Sequence, residues 1–233
     1  MQERRAVAVL YIENVFLHAE NDEKVRMLLR GRLAELMVKV DPSLYRKYVT
    51  ISKKGVPMLY VKLTKALYRL LRSALLFYKN LRGDLEGLGF KINPYDPCVA
   101  NKVTNGEQLT FVWHVDDLKV SHKDENVVLA FCVKMSQLYG SGTKSSRGKV
   151  HNFLGMDLDW SRDGVFIVSM IKYLQKIIDD FPEEICATRA TPANDNLFKI
   201  REEGEQQLLP EEQAQAFHHS TAQLLFPFFS DLE

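Results

Sequence analysis

Cysteine is scarce in this sequence, and the few cysteines present are scattered. The 233 residues include only three, Cys98, Cys132 and Cys186, and no two of them have CxxC spacing. An odd and unclustered set excludes a disulfide framework and a cysteine-based zinc site. None of the three has a neighbouring acid–base pattern that would activate its thiol. We therefore expect a protein of a reducing, intracellular compartment.

The sequence also lacks a long hydrophobic run. Near the N-terminus, the apolar stretch from Ala6 to Ile12 is ended by Glu13. A transmembrane helix needs about 20 apolar residues, and this stretch has no small-residue cleavage site of the kind that ends a signal peptide. These absences predict a soluble, intracellular protein that is neither embedded in a membrane nor secreted.

Net charge is nearly absent, because 31 lysines and arginines balance 30 aspartates and glutamates. The charges are unevenly distributed, however. Residues 43–83 contain ten basic residues and no acidic one, whereas residues 179–212 contain ten acidic residues and three basic ones. The basic segment favours a polyanionic partner, although a solvated protein face explains the same pattern.

Short β-type runs and helical runs follow one another along the chain. Apolar β-branched runs and turn pairs predict strands at residues 6–12, 48–52, 58–63, 90–93, 99–103, 109–115, 118–121, 153–160 and 165–170. Helical periodicity predicts helices at residues 32–40, 64–88, 124–139, 170–181 and 213–226, with a loop at residues 140–149. Hairpins mixed with helices predict an α+β fold rather than a doubly wound parallel sheet.

The helix predicted from Thr64 to Leu88 has two distinct sides. Leucines and other apolar residues recur at helical spacing on one side. The basic residues on the other side follow one another at steps of three and four, and they are Lys62, Lys65, Arg69 and Arg72. A row of cations of this kind predicts contacts with nucleic-acid phosphates, which would weaken with salt.

Two adjacent aspartates, Asp116 and Asp117, lie between two β-type runs and predict a tight hairpin turn. Aspartate is a common turn residue, so an ordinary acidic turn is one reading of this pair. The apolar residues on both sides predict that the turn lies on a packed sheet and is held rigidly. Two rigid carboxylates form a hard oxygen site that suits Mg²⁺, and nucleotidyl transfer uses two such ions.

Four ordered segments carry a resemblance to a known family. They read LYVKLTKALYRLLRSALLFYKNLRGDLEGLGF, NPYDPCVANK, FVWHVDDLKVSH and FLGMDLDW. In this order they resemble the reverse transcriptase of copia-type LTR retrotransposons, in the variant found in diatoms and other algae. The resemblance extends over about residues 6–226.

The resemblance implies a reverse-transcriptase-like palm, in which helices pack on an antiparallel sheet. It implies RNA-directed DNA synthesis from dNTPs with an RNA template, a DNA primer and Mg²⁺ or Mn²⁺, in a cytoplasmic virus-like particle or the nucleus. The family's polymerase motif matches residues 114–117, with His114 in place of the usual tyrosine. Asp116 is then the metal-ligating catalytic residue and Asp117 the supporting one. Phe16 is the implied gate that excludes a ribose 2′-hydroxyl.

Two residues depart from the family's pattern. Tyr11 occupies the position of a third catalytic aspartate, and a tyrosine phenol, with a reference pKa of about 10, is neutral near pH 7. Glu13 lies on the same strand face and offers a substitute carboxylate, but about 6.6 Å further along. Arg69 replaces a glycine that the family has near template and substrate.

The resemblance also predicts how the chain is organised. We expect residues 1–140 to form the palm with a remnant of the fingers, and residues 141–233 to form a thumb or connection region that stops before an RNase H domain. Both ends then resemble breaks in a longer polyprotein. A palm without its fingers would expose apolar surface, through which we expect association.

Three functional hypotheses follow. The first is a truncated, degenerate reverse transcriptase with little or no polymerase activity, because Tyr11 replaces a metal ligand. The second is a non-catalytic module that binds RNA or DNA through the basic segment 43–83. The third is a working polymerase that uses Glu13 as its third carboxylate.

Overall fold

A computed structural model describes residues 4–182 and 208–230 of the chain, with side chains as far as residue 225. Cys186 and most of the predicted acidic stretch lie outside the described residues. The chain divides into two compact units, Met1–Leu154 and Gly155–Glu233. Among the described residues, no helix combines the length and the apolar character needed to cross a membrane.

The first unit is built on a six-stranded sheet with strand order β5-β6-β7-β8-β1-β9, in which every neighbouring pair is antiparallel. Its strands are β1 (Ala6–Ile12), β5 (Lys91–Ile92), β6 (Val99–Thr104), β7 (Glu107–His114), β8 (Asp117–His122) and β9 (Thr143–Arg147). Antiparallel sheets mixed with helices confirm the predicted α+β class.

Alternation along β1 decides which face of the sheet is buried. Ala8, Leu10 and Ile12 are at most 1% exposed, whereas Tyr11 between them is 43% exposed. Successive side chains of a strand point to opposite faces, so one face of β1 enters the core and the other stays open. The helices α3 (Ser73–Gly87) and α4 (Glu125–Tyr139) contribute apolar side chains to the same core.

Helix α4 begins and ends where its sequence indicates. The side chain of Asp124 accepts a hydrogen bond from the backbone N–H of Asn126 at 2.9 Å, which caps the first turn. At the other end, Gly140 has φ 84°, a value that residues with a side chain rarely adopt. The cap and the glycine explain why the prediction for residues 124–139 is confirmed.

Helix α3 corrects the prediction of a helix from Thr64, because it begins only at Ser73. Arg69 has φ 70°, a left-handed conformation that breaks helical geometry. The Ser73 hydroxyl donates to the carbonyl oxygen of Leu67 at 2.6 Å and accepts from its N–H at 3.2 Å, which closes a turn ahead of the helix. The four predicted basic residues therefore do not share one helix face.

A second, smaller sheet lies in the same unit, with strand order β2-β4-β3. Its strands are β2 (Arg26–Arg30), β3 (Thr50–Ile51) and β4 (Pro57–Lys62), accompanied by helices α1 (Arg32–Val40) and α2 (Pro42–Tyr45). Leu29, Leu59 and Ala34 form its own buried cluster. The predicted hairpin of residues 48–63 and the predicted helix of residues 32–40 are confirmed.

Residues 140–149 were predicted to be a loop, but Thr143–Arg147 forms strand β9 along the free edge of β1. The sequence TKSSR has no apolar alternation, so periodicity could not reveal it. Its backbone nevertheless pairs with β1. The strand therefore forms because of this tertiary contact and not because of the β-propensity of its own residues. Strand β10 (Val150–Phe153) follows it.

The second unit contains the strands β11 (Met156–Asp159) and β12 (Ile167–Ser169), which pair antiparallel. Trp160 and Phe166 stack with ring centroids 4.6 Å apart beside this pairing. Two helices follow, α5 (Ile171–Asp180) and α6 (Glu211–Ser230), and the Tyr173 hydroxyl donates to the carbonyl oxygen of Gln223 at 3.2 Å. The predicted hairpin and both predicted helices are present, but the strand predicted over residues 153–160 begins only at Met156, because Leu154 and Gly155 have positive φ values and form a turn.

Candidate active site

The aspartate pair lies at the hairpin between β7 and β8, where His114 and Asp117 are cross-strand partners. Val115 and Asp116 are the two residues of the connecting loop. Val115 has φ 54°, which costs a β-branched residue more than most. A positive φ at the first central position is typical of two-residue hairpin turns with glycine there. Strain of this kind concentrates at functional sites, so it favours a functional turn over an ordinary one.

Asp117 and Tyr11 are directly opposite each other on neighbouring antiparallel strands. Both project from the open face of the sheet, because their strand neighbours Leu10, Ile12 and Leu118 are buried. The position that the resemblance assigns to a third aspartate is therefore beside the aspartate turn in space. The residue there is a phenol.

The electrostatics of Asp117 reflect its crowded position. Partial burial raises the pKa of its carboxyl group, the charge of Asp116 raises it further, and His114 opposes both effects. The charges of the two adjacent carboxylates repel each other, which is why Asp116 raises the pKa of Asp117. The pair therefore has the electrostatic character of a cation site.

Tyr68 joins this group from the turn that precedes α3. Burial raises the pKa of its phenol, with further contributions from the charge of Asp116 and from Tyr11. Its ring meets that of Phe16 edge-on, with centroids 4.5 Å apart. The sequence placed Tyr68 on a predicted helix, beside the basic residues expected to carry template or primer. Its position near the aspartates was not predicted, because it lies in a turn ahead of α3 and not in the helix.

Phe16, the implied gate, lies in a 3₁₀ turn of residues Val15–His18, which is separated from β1 by two residues. It is 8% exposed and also contacts the ring of Phe77 at a centroid distance of 6.5 Å. Packing between Tyr68 and Phe77 fixes the position of the ring, and Tyr68 is the residue whose phenol pKa is raised by the charge of Asp116. Its role as a gate stays a prediction.

Glu13, the proposed substitute carboxylate, points toward β9, which pairs with the edge of β1 opposite to β8. It forms an ion pair with Lys144 of β9, and this contact is the largest cause of the raised pKa of that lysine. A side chain at Gly142 would place its Cβ 3.1 Å from the Glu13 carboxylate, so the glycine leaves room for it. Lys144 lay in the predicted loop, and no sequence signal pointed to this pair.

A lysine near the aspartates was also missed. Lys119 follows Asp117 by two residues on the same open face. Burial lowers the pKa of its ammonium group, which lies 5.2 Å from the ring centroid of Phe153. The open face beside the aspartate turn thus carries a partly desolvated cation.

Two of the four predicted phosphate-binding residues are paired with carboxylates. Arg72 binds Asp22 at 2.8 Å and also contacts Glu23, which is the first cause of its raised pKa. Lys65 lies 3.7 Å from Glu20. Within residues 4–182 and 208–230, Lys62 and Arg69 have no such partner, and the binding role of all four stays a prediction.

The donor set does not fit a two-ion centre. In the described part of the chain, no three histidine, cysteine, aspartate or glutamate side chains come together as metal ligands. Asp116 and Asp117 offer two carboxylates, and the third expected position holds Tyr11. A neutral phenol cannot bridge two divalent cations as a carboxylate does.

The family model described as reverse transcriptase (RNA-dependent DNA polymerase) matches residues 1–195 of the chain. A match over most of the sequence shows that the chain belongs to the reverse transcriptase family. The antiparallel sheet with helices packed against it is consistent with the palm expected of this family. Members of the family generally use a divalent metal ion and bind nucleic acid.

Solved structures of telomerase are similar to this chain. An apo telomerase from Candida tropicalis is 12% identical, with a TM-score of 0.39 over 68% of this chain and 32% of its own. A telomerase from Candida albicans in complex with a TWJ fragment of telomeric RNA is 11% identical, with a TM-score of 0.40 over 76% and 35%. The chain thus spans about a third of the telomerase chains that it matches. No curated protein matches the chain.

Proposed function

We propose that this chain is a degenerate copia-type reverse transcriptase with little or no polymerase activity. The ancestral reaction is RNA-templated DNA synthesis from dNTPs by two-metal nucleotidyl transfer, with Asp116 and Asp117 as Mg²⁺ ligands. Assignment of residues 1–140 to a palm and residues 141–233 to a thumb or connection region belongs to this proposal. The observation that carries it is the cross-strand pairing of Tyr11 with Asp117.

The physical reason is the loss of a ligand at the centre of the reaction. Two divalent ions stabilise the entering and the leaving oxygen, and each needs oxygen ligands of high charge density. Replacing one of three carboxylates by a phenol removes a negative charge and fills space beside Asp117. Losses of this kind at an electrostatic centre cost orders of magnitude in rate.

Restoring a carboxylate at residue 11 should reverse this defect. Tyr11→Asp restores a carboxylate opposite Asp117 and should increase primer extension at least about tenfold in Mg²⁺ or Mn²⁺. Tyr11→Phe is the matched control, because it removes the hydroxyl without adding charge, and it should leave extension at the native level. The gain should disappear in Tyr11→Asp combined with Asp116→Asn. Robust synthesis by the native chain would contradict the proposal.

A polymerase that uses Glu13 is disfavoured by the ion pair between Glu13 and Lys144. Moving this carboxylate to the aspartates would break that pair and displace the end of β1. Lys144→Ala tests this third hypothesis, since freeing Glu13 should leave primer extension unchanged. An increase would support it.

Nucleic-acid binding without catalysis is the second candidate function. It is favoured by Lys62 and Arg69, which are exposed and have no carboxylate partner in the described residues. Filter binding of single-stranded oligonucleotides, titrated against salt, tests it. Affinity should fall steeply with salt, and a flat response would remove this function.

A further inference from the structure

The small sheet has one face that the core does not use. The register pairs Arg26 with Lys62, Leu28 with Tyr60, and Arg30 with Met58. Because strand side chains alternate, these six residues share a face. The alternate residues, among them Leu29 and Leu59, belong to the buried cluster with Ala34 of α1. We call the six-residue surface the β2–β4 face.

The charges of the β2–β4 face all have one sign. Arg26 and Arg30 on β2 and Lys62 on β4 are exposed, and no acidic residue occupies any of its six positions. None of the three cations has a hydrogen bond or ion pair with another described residue. In this they differ from Arg72 and Lys65, whose charges are already matched by carboxylates. Unmatched cations at fixed positions are available to an anionic partner.

An exposed aromatic ring lies between these cations. Tyr60 is 59% exposed, which is unusual for a large ring on a strand whose other face is buried. Arg26–Lys62 is the cross-strand pair on one side of it, and Arg30 with Met58 is the pair on the other. At about 3.3 Å per residue, Arg26 and Arg30 are about 13 Å apart, the length of a few nucleotides. An aromatic platform flanked by cations is the arrangement on which single-stranded bases stack while phosphates are neutralised.

We propose that the β2–β4 face binds single-stranded nucleic acid, with Tyr60 stacking on a base and Arg26, Arg30 and Lys62 contacting phosphates. This inference rests on the nucleic-acid-binding function proposed above, and it adds Arg26 and Arg30, which lie outside residues 43–83, to Tyr60 and Lys62, which lie within them. A duplex fits less well, because its bases are stacked on each other and offer no free ring face to Tyr60. An acidic protein would use the cations without needing the ring.

Binding of a fluorescein-labelled single strand of about 12 nucleotides, followed by fluorescence anisotropy, tests the face. The charge variant Arg26→Gln, Arg30→Gln and Lys62→Gln should bind at least about tenfold more weakly. Its salt dependence should flatten by about 2 in log–log slope, since each lost single-strand phosphate contact removes about 0.7. The matched control is Lys39→Gln, Lys91→Gln and Lys134→Gln, which removes the same charge from exposed lysines elsewhere in the first unit. The control should bind like the native chain.

Variants of Tyr60 test the role of the ring separately from the role of the charges. Tyr60→Ala should weaken binding about fivefold or more, whereas Tyr60→Phe should retain native affinity, because stacking needs the ring and not the hydroxyl. Unlabelled single strand should compete better than duplex of the same length or polyglutamate. Equal competition by polyglutamate together with native affinity of Tyr60→Ala would overturn the inference in favour of an acidic partner.

The remaining outcomes separate the inference from the function on which it rests. If the charge variant binds as well as its control, the β2–β4 face is the wrong surface, while nucleic-acid binding by the chain stands. If the native chain binds no oligonucleotide at low salt, both are wrong. The Tm of each variant is measured as well. A Tm equal to that of the native chain shows that a loss of binding does not come from loss of the fold.

Discussion

The two faces of strand β1 are formed by alternate residues. The buried face follows the predicted hydrophobic pattern, whereas the open face departs from the pattern of the family. On the buried face, Ala8, Leu10 and Ile12 are at most 1% exposed and build the main core. On the open face, Tyr11 stands opposite Asp117, where the family resemblance implies a carboxylate. A strand can therefore keep its place in the fold while the residues on its open face change, because packing depends on the other, buried set of side chains.

The largest expected effect is a difference in stability between variants of the two faces. Leu10→Ala should lower the free energy of unfolding by about 2–5 kcal/mol, because it leaves a cavity in the core. Tyr11→Ala, its neighbour on the open face, should cost about 1 kcal/mol or less. Urea unfolding followed by circular dichroism measures both. Similar losses for the two variants would show that the open face also carries the fold.

A smaller effect is expected at two residues with a left-handed backbone, Val115 at φ 54° and Arg69 at φ 70°. Glycine adopts such values without the steric cost of about 1–2 kcal/mol, although it loses more conformational entropy on folding. Val115→Gly and Arg69→Gly should each raise the free energy of unfolding by about 0.5–1 kcal/mol, seen as a higher Tm. Val112→Gly, in the regular part of β7, is the control and should lower it.

The smallest effect concerns pH and the aspartate turn. Burial and the charge of Asp116 raise the pKa of Asp117 in the folded state, so folding favours its protonated form. Its contribution to stability is present below the unfolded pKa and is lost as pH rises through the raised folded pKa. At neutral pH, Asp117→Asn should therefore raise the free energy of unfolding, by less than about 1 kcal/mol because solvent screens the site. The gain should vanish at acid pH.

The matched control for this titration is Asp159 in the second unit. Hydrogen bonds from Ser161 lower the pKa of Asp159, so its contribution has the opposite sign. Asp159→Asn should reduce stability at neutral pH, and the loss should disappear as pH falls through the lowered pKa. Thermal unfolding of the native chain and both variants across the acid range measures the two slopes. Slopes of the same sign would show that the environment of Asp117 has been misread.

The sequence predicts elements well where a local pattern decides them. Alternation in β1, the cap at Asp124 and the glycine at 140 gave boundaries that the structure matches within a residue or two. The cross-strand contact between Tyr11 and Asp117 joins residues more than 100 positions apart. It was expected only because the family resemblance placed both residues in one palm, and periodicity alone could not have supplied it.

The failures have a common physical cause, which is structure set by partners distant in sequence. Strand β9 exists because β1 offers it a free edge, and its own residues carry no strand pattern. The predicted start of α3 followed apolar periodicity through Arg69, whose backbone is left-handed. The departure from glycine at this position was visible in the sequence. The left-handed backbone at Arg69 was not visible, so the basic residues were assigned to one face of a helix that does not extend over them.

Strand β1 is clamped between two neighbours, with six residue pairs to β8 and five to β9. A slide of two positions would preserve which side chains face inward, and it would carry Glu13 toward the place of Tyr11. Such a slide would have to re-form both ladders at once, so the alignment of β1 is locked. A carboxylate directly opposite Asp117 therefore requires a substitution at residue 11 itself.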